Sequence, residues 1–355
     1  MKMKNNPDEL KTMLNDLSTY KGILGPGPYW IHNQQSTIDW IMNNDLNNFR
    51  KYDRISKSLS NFGGGSRWRS LNEINGEIIK LNKNKIYYLS QKLRIKPIVD
   101  FYKMSLRDLS REKYIQKLLI QSLILFYKSR DIENELTMID SSDIGNPSDT
   151  INIDGSVYTS KFLDEFNKYL DIKKYVNFSS MESYLEIGPG VGTFAEVIAK
   201  LFPKVKLYLI DIPPQLYLTQ QYLSSVFPNQ VASYEEIKKN PEILKSKKYR
   251  IFILAPWQID LLKFEKLDFV FNQVSFSEMK KETVESYLSH FSRWNTQVIN
   301  IRAVDKNKTK EGPSFQDYVE ALPGFDLTDK NQISADFKER LGEIRTSSAL
   351  YFKKK

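Results

Sequence analysis

The sequence predicts an α/β fold: a mostly parallel sheet with helices on both faces, preceded by a mainly helical N-terminal extension. Three observations predict it. From residue 183 onward, short apolar runs alternate with stretches of helical periodicity, the texture of strand–helix–strand units. Between the first run and the first helical stretch lies "GPGVG", residues 188–192, and glycines at alternating positions are costly in a chain that only has to fold. Before about residue 140 the chain is polar, rich in Asn and periodic at helical spacing.

Strands are expected at "YLEIG", "KLYLIDI", "YRIFILAP", "LDFVFNQV", "TQVINIRA" and "SALYFKK", with helices over 191–202, 214–226 and 280–294. In the N-terminal part, "STIDWIMNNDLNNF" aligns Ile38, Ile41, Met42, Leu46 and Phe49 on one side at helical spacing, with Ser36 or Thr37 as the cap. "KGILGPGPYW" before it and "NFGGGSRW" after it are glycine-rich loops, the kind of segment on which lids and substrate loops are built. A long helix is expected over 105–130, where Leu106, Leu109, Ile115 and Leu118 keep the period. Residues 139–160, rich in Asp, Asn, Ser and Gly, read as a connector before a helix near 160–170. Three regions follow: 1–140, mainly helical, covering an acceptor or mediating dimerisation; 141–182, connector and helix; and 183–355, the ligand-binding α/β domain.

Composition narrows the chemistry. The 355 residues are 41% hydrophobic and 13% aromatic, enough for a packed core. There is no Cys, and His32 and His290 are the two histidines. Disulfides, thiolate nucleophiles and Cys-based zinc sites are excluded, and a His-rich metal site has no basis. No carboxylate spacing announces an oxygen-ligand site, so no metal is expected. No charged and apolar leader opens the chain. The most apolar stretch, "LLIQSLILFY" at 118–127, is short for a bilayer and contains Gln121. A cytoplasmic protein without a membrane span is expected. The net charge of +9 admits an anionic partner, but the lysines are scattered and do not alternate with aromatics. A solvated surface is expected, with no specific nucleic acid as partner.

In an open α/β sheet, ligands lie beyond the carboxyl ends of the strands, where the strand order reverses. Gly188, Gly190 and Gly192 form the turn from the first strand into the first helix. Asp211 ends the second strand, nineteen residues after Gly192, where a carboxylate can accept from ribose hydroxyls. A dinucleotide loop wants a small third residue at position 193; here that residue is Thr193, and the pattern is G-x-G-x-G. Glu186, two residues before the loop, suits a cationic ligand better than a pyrophosphate. S-adenosylmethionine carries a sulfonium, an amino group and no phosphate, so the loop, Glu186 and Asp211 together point to a methyl donor.

"YLEIGPGVGTFAEVIAKLFPKVKLYLIDIPPQLYLTQQYLSSVFP" resembles the class I S-adenosylmethionine-dependent methyltransferases, which have a Rossmann-like fold. More narrowly, "GNPSDTINIDGSVYTS", "DIPPQLYLTQQYLSS", "ILAPWQ" and "FNQVSFSEM" resemble a bacterial sugar O-methyltransferase family, over about residues 140–300. The resemblance implies that Glu186, Gly188, Gly190 and Gly192 surround the methionine end of the donor. It implies that Asp211 takes the ribose hydroxyls and Ile212 lies against the adenine. Many relatives carry an acid or amide after the third strand; "LAPWQ" stands there, so the backbone of Ala255 or the side chain of Gln258 has to serve. Asn272 and Gln273 would face the donor methyl.

Methyl transfer to a hydroxyl needs an aligned oxygen and a group to take its proton. Glu278, just past the fourth strand, is the first candidate base; a carboxylate favoured by a helix dipole is the alternative. His32 and His290 are the others. His290 stands twelve residues beyond Glu278, roughly 18 Å along a helix, so both cannot flank one acceptor. Asp154 and Tyr158 in the connector are candidates for holding acceptor hydroxyls, with turn formation as the alternative. The expected activity is O-methylation of a sugar or glycoconjugate precursor by a monomer or homodimer. Methylation of another small molecule, RNA or protein, or a binding protein that kept the fold and lost the chemistry, are the alternatives.

Overall fold

The structure, a computed structural model, describes residues 3, 5–51, 128, 130–147, 150–153, 155–304, 312–338 and 343–355. The loop "NFGGGSRW" and nearly all of the helix expected at 105–130 lie outside these residues.

The chain opens with α1 (Pro7–Thr19), α2 (Pro28–Asn33) and α3 (Gln35–Asn43). After the connector come a small antiparallel hairpin, β1 (Ile151–Ile153) and β2 (Ser156–Tyr158), and then α4 (Ser160–Ile172), which Thr159 caps by accepting from Phe162 N. The main unit runs β3 (Ser183–Ile187), α5 (Thr193–Leu201), β4 (Lys206–Ile210), α6 (Gln215–Val226), β5 (Val231–Ala232), α7 (Tyr234–Lys239) and β6 (Ile251–Leu254). It continues with β7 (Leu267–Gln273), α8 (Lys281–Arg293), β8 (Thr296–Val304), α9 (Phe315–Glu320), β9 (Phe325–Lys338) and β10 (Glu343–Lys354).

The eight strands of the sheet lie in the order β5-β6-β4-β3-β7-β8-β10-β9. Those from β5 to β8 pair in parallel, and β10 runs antiparallel between β8 and β9. This order, with a reversed last strand inserted beside the edge, is that of the class I methyltransferase fold. It reverses at β3, whose neighbours are β4 on one side and β7 on the other, so the crevice for a ligand opens at the carboxyl ends of these three strands.

Strand alternation builds two cores. Leu207, Leu209, Ile251, Ile253, Phe269 and Phe271 turn to one face; Tyr208, Ile210, Phe252, Leu254 and Val270 turn to the other. The first face is covered by α4, α5 and α6, through residues such as Phe166, Val197 and Tyr222. The second is covered by α7, α8 and α9, through Ile237, Leu288 and Tyr318. Leu10 and Met13 of α1 and Ile41 of α3 join the first core, so the described N-terminal helices pack onto the α/β unit. Polar contacts pin them there: Asn6 N donates to Tyr217 Oη (2.7 Å), and Gln220 and Gln221 both donate to Glu9 (2.8 Å each).

Three features depart from expectation. α3 starts at Gln35, so Ser36 and Thr37 are inside it rather than capping it. One residue, Gln34, joins α2 to α3, and its N–H bonds Trp30 O, so the start needs no capping side chain. Leu46 and Phe49 fall in the turn after the helix and are still buried. β9 was not expected, because "FDLTDKNQISADFK" is polar; it is an edge strand, and Asp326 and Lys330 are exposed on it, charges of the kind that keep edges from pairing with other chains.

Val274 follows β7 with φ of 66°. A β-branched residue in the left-handed region costs about 1–3 kcal/mol and persists only where its surroundings impose it. Here its N–H donates to Arg302 O (2.7 Å) and its carbonyl accepts from Ser277 N (2.8 Å). The chain is thereby turned sharply out of the sheet into a single 3-10 turn, Ser275–Glu278, at the carboxyl edge.

Candidate active site

The loop after β3 is held in a shape that only glycine takes without strain. Gly188, Gly190 and Gly192 have φ of 75°, 62° and 86°. A Cβ on Gly192 would also press on Leu223 and Thr219 of α6, and one on Gly188 would meet Ser275. The loop is tied to β4, with Gly188 N donating to Ile210 O (2.8 Å) and Gly190 N to Asp211 Oδ2 (3.1 Å). Gly192→Ala is expected to destabilise the protein by about 1–3 kcal/mol, from backbone strain and contact with α6. A thermal midpoint equal to that of the parent would show that the loop relaxes.

Two carboxyl groups flank this loop. Asp211 accepts from Ile212 N (2.8 Å) as well as Gly190 N. Burial pushes its pKa up to about 7, against the pull of those two N–H groups, and the charge of Glu278 adds to the rise. Glu186 is 3% exposed and accepts from the buried Tyr184 hydroxyl (2.7 Å). Burial raises its pKa to about 8, and Asp211 contributes to that rise. Two desolvated carboxyls next to one glycine loop disfavour a bound anion and favour a cation.

Beyond Asp211 the site runs toward β6. Ile212 is nearly buried. The Ala255 N–H is already taken by Gln258 Oε1 (2.9 Å), while Gln258 Nε2 is buried with no hydrogen-bond partner. Gln258 lines a cavity of about 240 Å³, together with Asp16, Tyr20, Tyr234, Lys238 and Trp257. The Tyr20 and Trp257 rings are 5.5 Å apart, so the end of α1 forms one wall of this cavity.

On the other side the site runs toward β7. Asn272 is fully buried; its Nδ2 donates to Ile187 O (3.0 Å) and Ser275 Oγ (2.5 Å), and its Oδ1 accepts from Phe276 N (3.3 Å). Its amide, expected to face the donor methyl, braces the strand ends and the turn. Gln273 is half-buried at the end of β7, beside Arg302 of β8. Glu278 closes the 3-10 turn instead of starting α8, and its Oε2 accepts from Trp30 Nε1 (3.0 Å). Gly27, just before α2, lies on the Glu278 carbonyl, and Thr283 Oγ1 donates to Ile23 O (2.9 Å). The segment from Tyr20 to Trp30 thus crosses the carboxyl edge from Trp257 to Glu278.

The remaining candidates fall elsewhere. His290 is buried near the end of α8, its Nδ1 paired with Arg293 (2.9 Å) and its ring 5.2 Å from Trp294. α8 runs back from the carboxyl edge, which carries residue 290 about 14 Å along it; His290 is therefore withdrawn as a base. Burial and the neighbouring Arg293 lower its pKa. Tyr158 is buried in the first core, donating to Leu136 O (3.3 Å), and is withdrawn as an acceptor contact. His32 belongs to α2, but its side chain lies outside the description, as does Asp154 entirely. Among the described residues, no three His, Cys, Asp or Glu side chains could together hold a metal ion. No described helix is long and apolar enough to cross a membrane.

Three residues at the edge escaped the sequence. Trp30 was visible only as an aromatic in a Gly/Pro loop. Tyr287 of α8 is buried, and its pKa is raised by burial and then by the nearby Asp211 and Tyr20. Gln215 opens α6 and is 4% exposed, with neither amide atom bonded. Only the position of Gln215, four residues past Asp211, could have signalled it.

No family model and no curated protein matches the chain. Among solved structures, it is similar to magnesium protoporphyrin IX methyltransferase from Synechocystis PCC 6803 with bound SAM. That likeness is at 16% identity, covering 54% of this chain and 81% of that one, with a TM-score of 0.36. It is similar to the mitomycin 7-O-methyltransferase MmcR at 12% identity, covering 50% of each chain, with a TM-score of 0.34. It is also similar to the [4+2]-cyclase SpnF at 11% identity, covering 54% and 81%, with a TM-score of 0.37. The strand order and the reversed β10 are those of the class I methyltransferase fold.

Proposed function

We propose that the protein is an S-adenosylmethionine-dependent O-methyltransferase whose acceptor is a hydroxyl of a sugar or glycoconjugate precursor. The observation that carries the donor assignment is the clasp of the glycine loop by Asp211, with the desolvated Glu186 beside it. Residues present fit such a donor. Asp211 keeps lone pairs for ribose hydroxyls, and Gln258 Nε2 is a buried donor without a partner, suited to a ring nitrogen of adenine. Glu186 and the loop of Gly188, Gly190 and Gly192 suit the cationic methionine end, with Ile212 and Ala255 against the base. In this reading Gln273, at the end of β7, faces the reacting side, and Asn272 holds the turn that carries Glu278.

When bound, the donor supplies a methyl group already activated on a sulfonium. The protein's part is to align an acceptor oxygen and take its proton. Glu278, oriented by the Trp30 indole, is the group placed to take it as the oxygen–carbon bond forms and the sulfur–carbon bond breaks. His32, two residues past that segment in α2, is the second candidate. The segment from Tyr20 to Trp30 excludes water and forms a wall for the acceptor. The sugar assignment rests on the resemblance of residues 140–300 alone; another small molecule, RNA or protein is the alternative acceptor, and a binding protein without turnover is the alternative function.

The test is a calorimetric titration with S-adenosylhomocysteine and with NAD. The homocysteine analogue is expected to bind and NAD is not. Asp211→Ala is expected to weaken binding by about 1–3 kcal/mol, the range for lost hydrogen bonds to a charged group. NAD binding without a response to the analogue would overturn the donor assignment, and unchanged affinity in the variant would remove Asp211 from the site.

A further inference from the structure

Gln215 is almost completely buried, and neither its Nε2 nor its Oε1 has a hydrogen-bond partner. Buried amides are nearly always bonded, and one that is not calls for a reason. Its location supplies one. Gln215, Thr219 and Leu223 are spaced by four, so they share a face of α6. The Thr219 hydroxyl bonds Gly190 O, and Leu223 lies against Gly192. That face therefore rests on the glycine loop. Helical side chains lean toward the helix N-terminus, so Gln215 leans past the start of α6 toward the carboxyl edge, where Gly190 and Asp211 lie.

We infer that Gln215 binds the nucleoside half of the donor, by hydrogen bonds to the ribose hydroxyls. This rests on the donor assignment proposed above. The chemistry is complementary. Each Asp211 oxygen already accepts one backbone N–H, and a carboxylate can only accept. A hydroxyl that gives its proton to Asp211 still has lone pairs that want a donor, and Gln215 Nε2 is one. A second hydroxyl proton has Gln215 Oε1 as an acceptor. The two side chains grip the diol from different elements, Asp211 from the end of β4 and Gln215 from the start of α6. A Leu or Met at 215 would fill the same space with no unbonded polar atoms, so the amide has a use that the ligand-free fold does not show.

Gln215→Met, which keeps length and removes the amide, is the test, with S-adenosylhomocysteine and adenosine titrated into the parent and variant and their thermal midpoints measured without ligand. The expected result is a midpoint equal to or above that of the parent and affinity for both ligands weaker by about 10- to 100-fold. Gln215→Asn, which keeps polarity and shortens the reach, is expected to lose affinity as well, and covers the case in which the Met variant fails to fold. A lowered midpoint with unchanged affinity would make the amide structural and overturn the inference. Loss for S-adenosylhomocysteine but not for adenosine would move Gln215 to the amino-acid end and overturn it too. Failure of the parent to bind S-adenosylhomocysteine would instead overturn the donor assignment.

Discussion

Glu278→Gln is expected to lower methyl transfer by about 10²- to 10⁴-fold, the range a positioned base contributes, while donor affinity stays nearly level. Gln keeps the shape and still accepts from the Trp30 indole, whose bond to Glu278 is 3.0 Å; what it loses is the ability to take a proton. The measurement is single-turnover transfer of labelled methyl to a saccharide acceptor pool, with S-adenosylhomocysteine affinity as the control. His32→Ala is the comparison, because His32 follows Trp30 by two residues in α2. Normal turnover in Glu278→Gln with loss in His32→Ala would place the base on the N-terminal segment. His290→Ala is expected to leave turnover unchanged, since His290 lies well along α8 with its ring on Trp294.

The second large effect is on pH. In the free protein burial raises Glu186 to about 8 and Asp211 to about 7. Folded pKa values above the unfolded ones mean that the folded form binds more protons. The contribution of these two groups to stability is therefore present at low pH and is lost as pH rises from the ordinary carboxylate range through about 8. A cationic ligand reverses the preference by stabilising the ionised forms, so binding should expel protons. Affinity is expected to rise about tenfold per pH unit for each proton expelled between pH about 5 and 7, and to level off once pH exceeds the value of Glu186. Calorimetry in two buffers of different ionisation enthalpy measures the protons directly. Flat affinity over that span with no proton release would mean that neither carboxyl meets the charge of the donor.

The sheet was legible because its central strands are buried on both faces and read as apolar runs, and because the glycine loop and Asp211 fall at the ends of two of them. β9 was not legible: an edge strand needs no apolar pattern, and its polar residues read as a loop. Asn272 shows how a site residue can be found in place but not in direction. Its position at the end of β7 was clear, yet only coordinates reveal that its amide is committed to Ile187 O and the turn. Spacing along the helix expected after the fourth strand already set Glu278 and His290 apart, because a helix converts sequence distance into length at a fixed rate. Nothing comparable links Trp30 to Glu278, which are 248 positions apart. Gln215 was overlooked for a different reason: a Gln in a first helical turn is ordinary at a surface, and burial is a property of what packs around it.

The crossing of the carboxyl edge by the N-terminal segment has a consequence for biosynthesis. Asn6 meets Tyr217 and Glu9 meets Gln221 across 211 and 212 positions, and Trp30 meets Glu278 across 248. Helices α1 to α3 are made before β4, α6 and the turn after β7, and have no docking surface until those have followed. Contacts of such separation carry a loop-closure cost and form late. The apolar stripe of α1, with Leu10 and Met13, has its partners only once those elements exist. A segment made before the α/β unit must therefore dock after it, and the wall it forms is finished only after the floor beneath it.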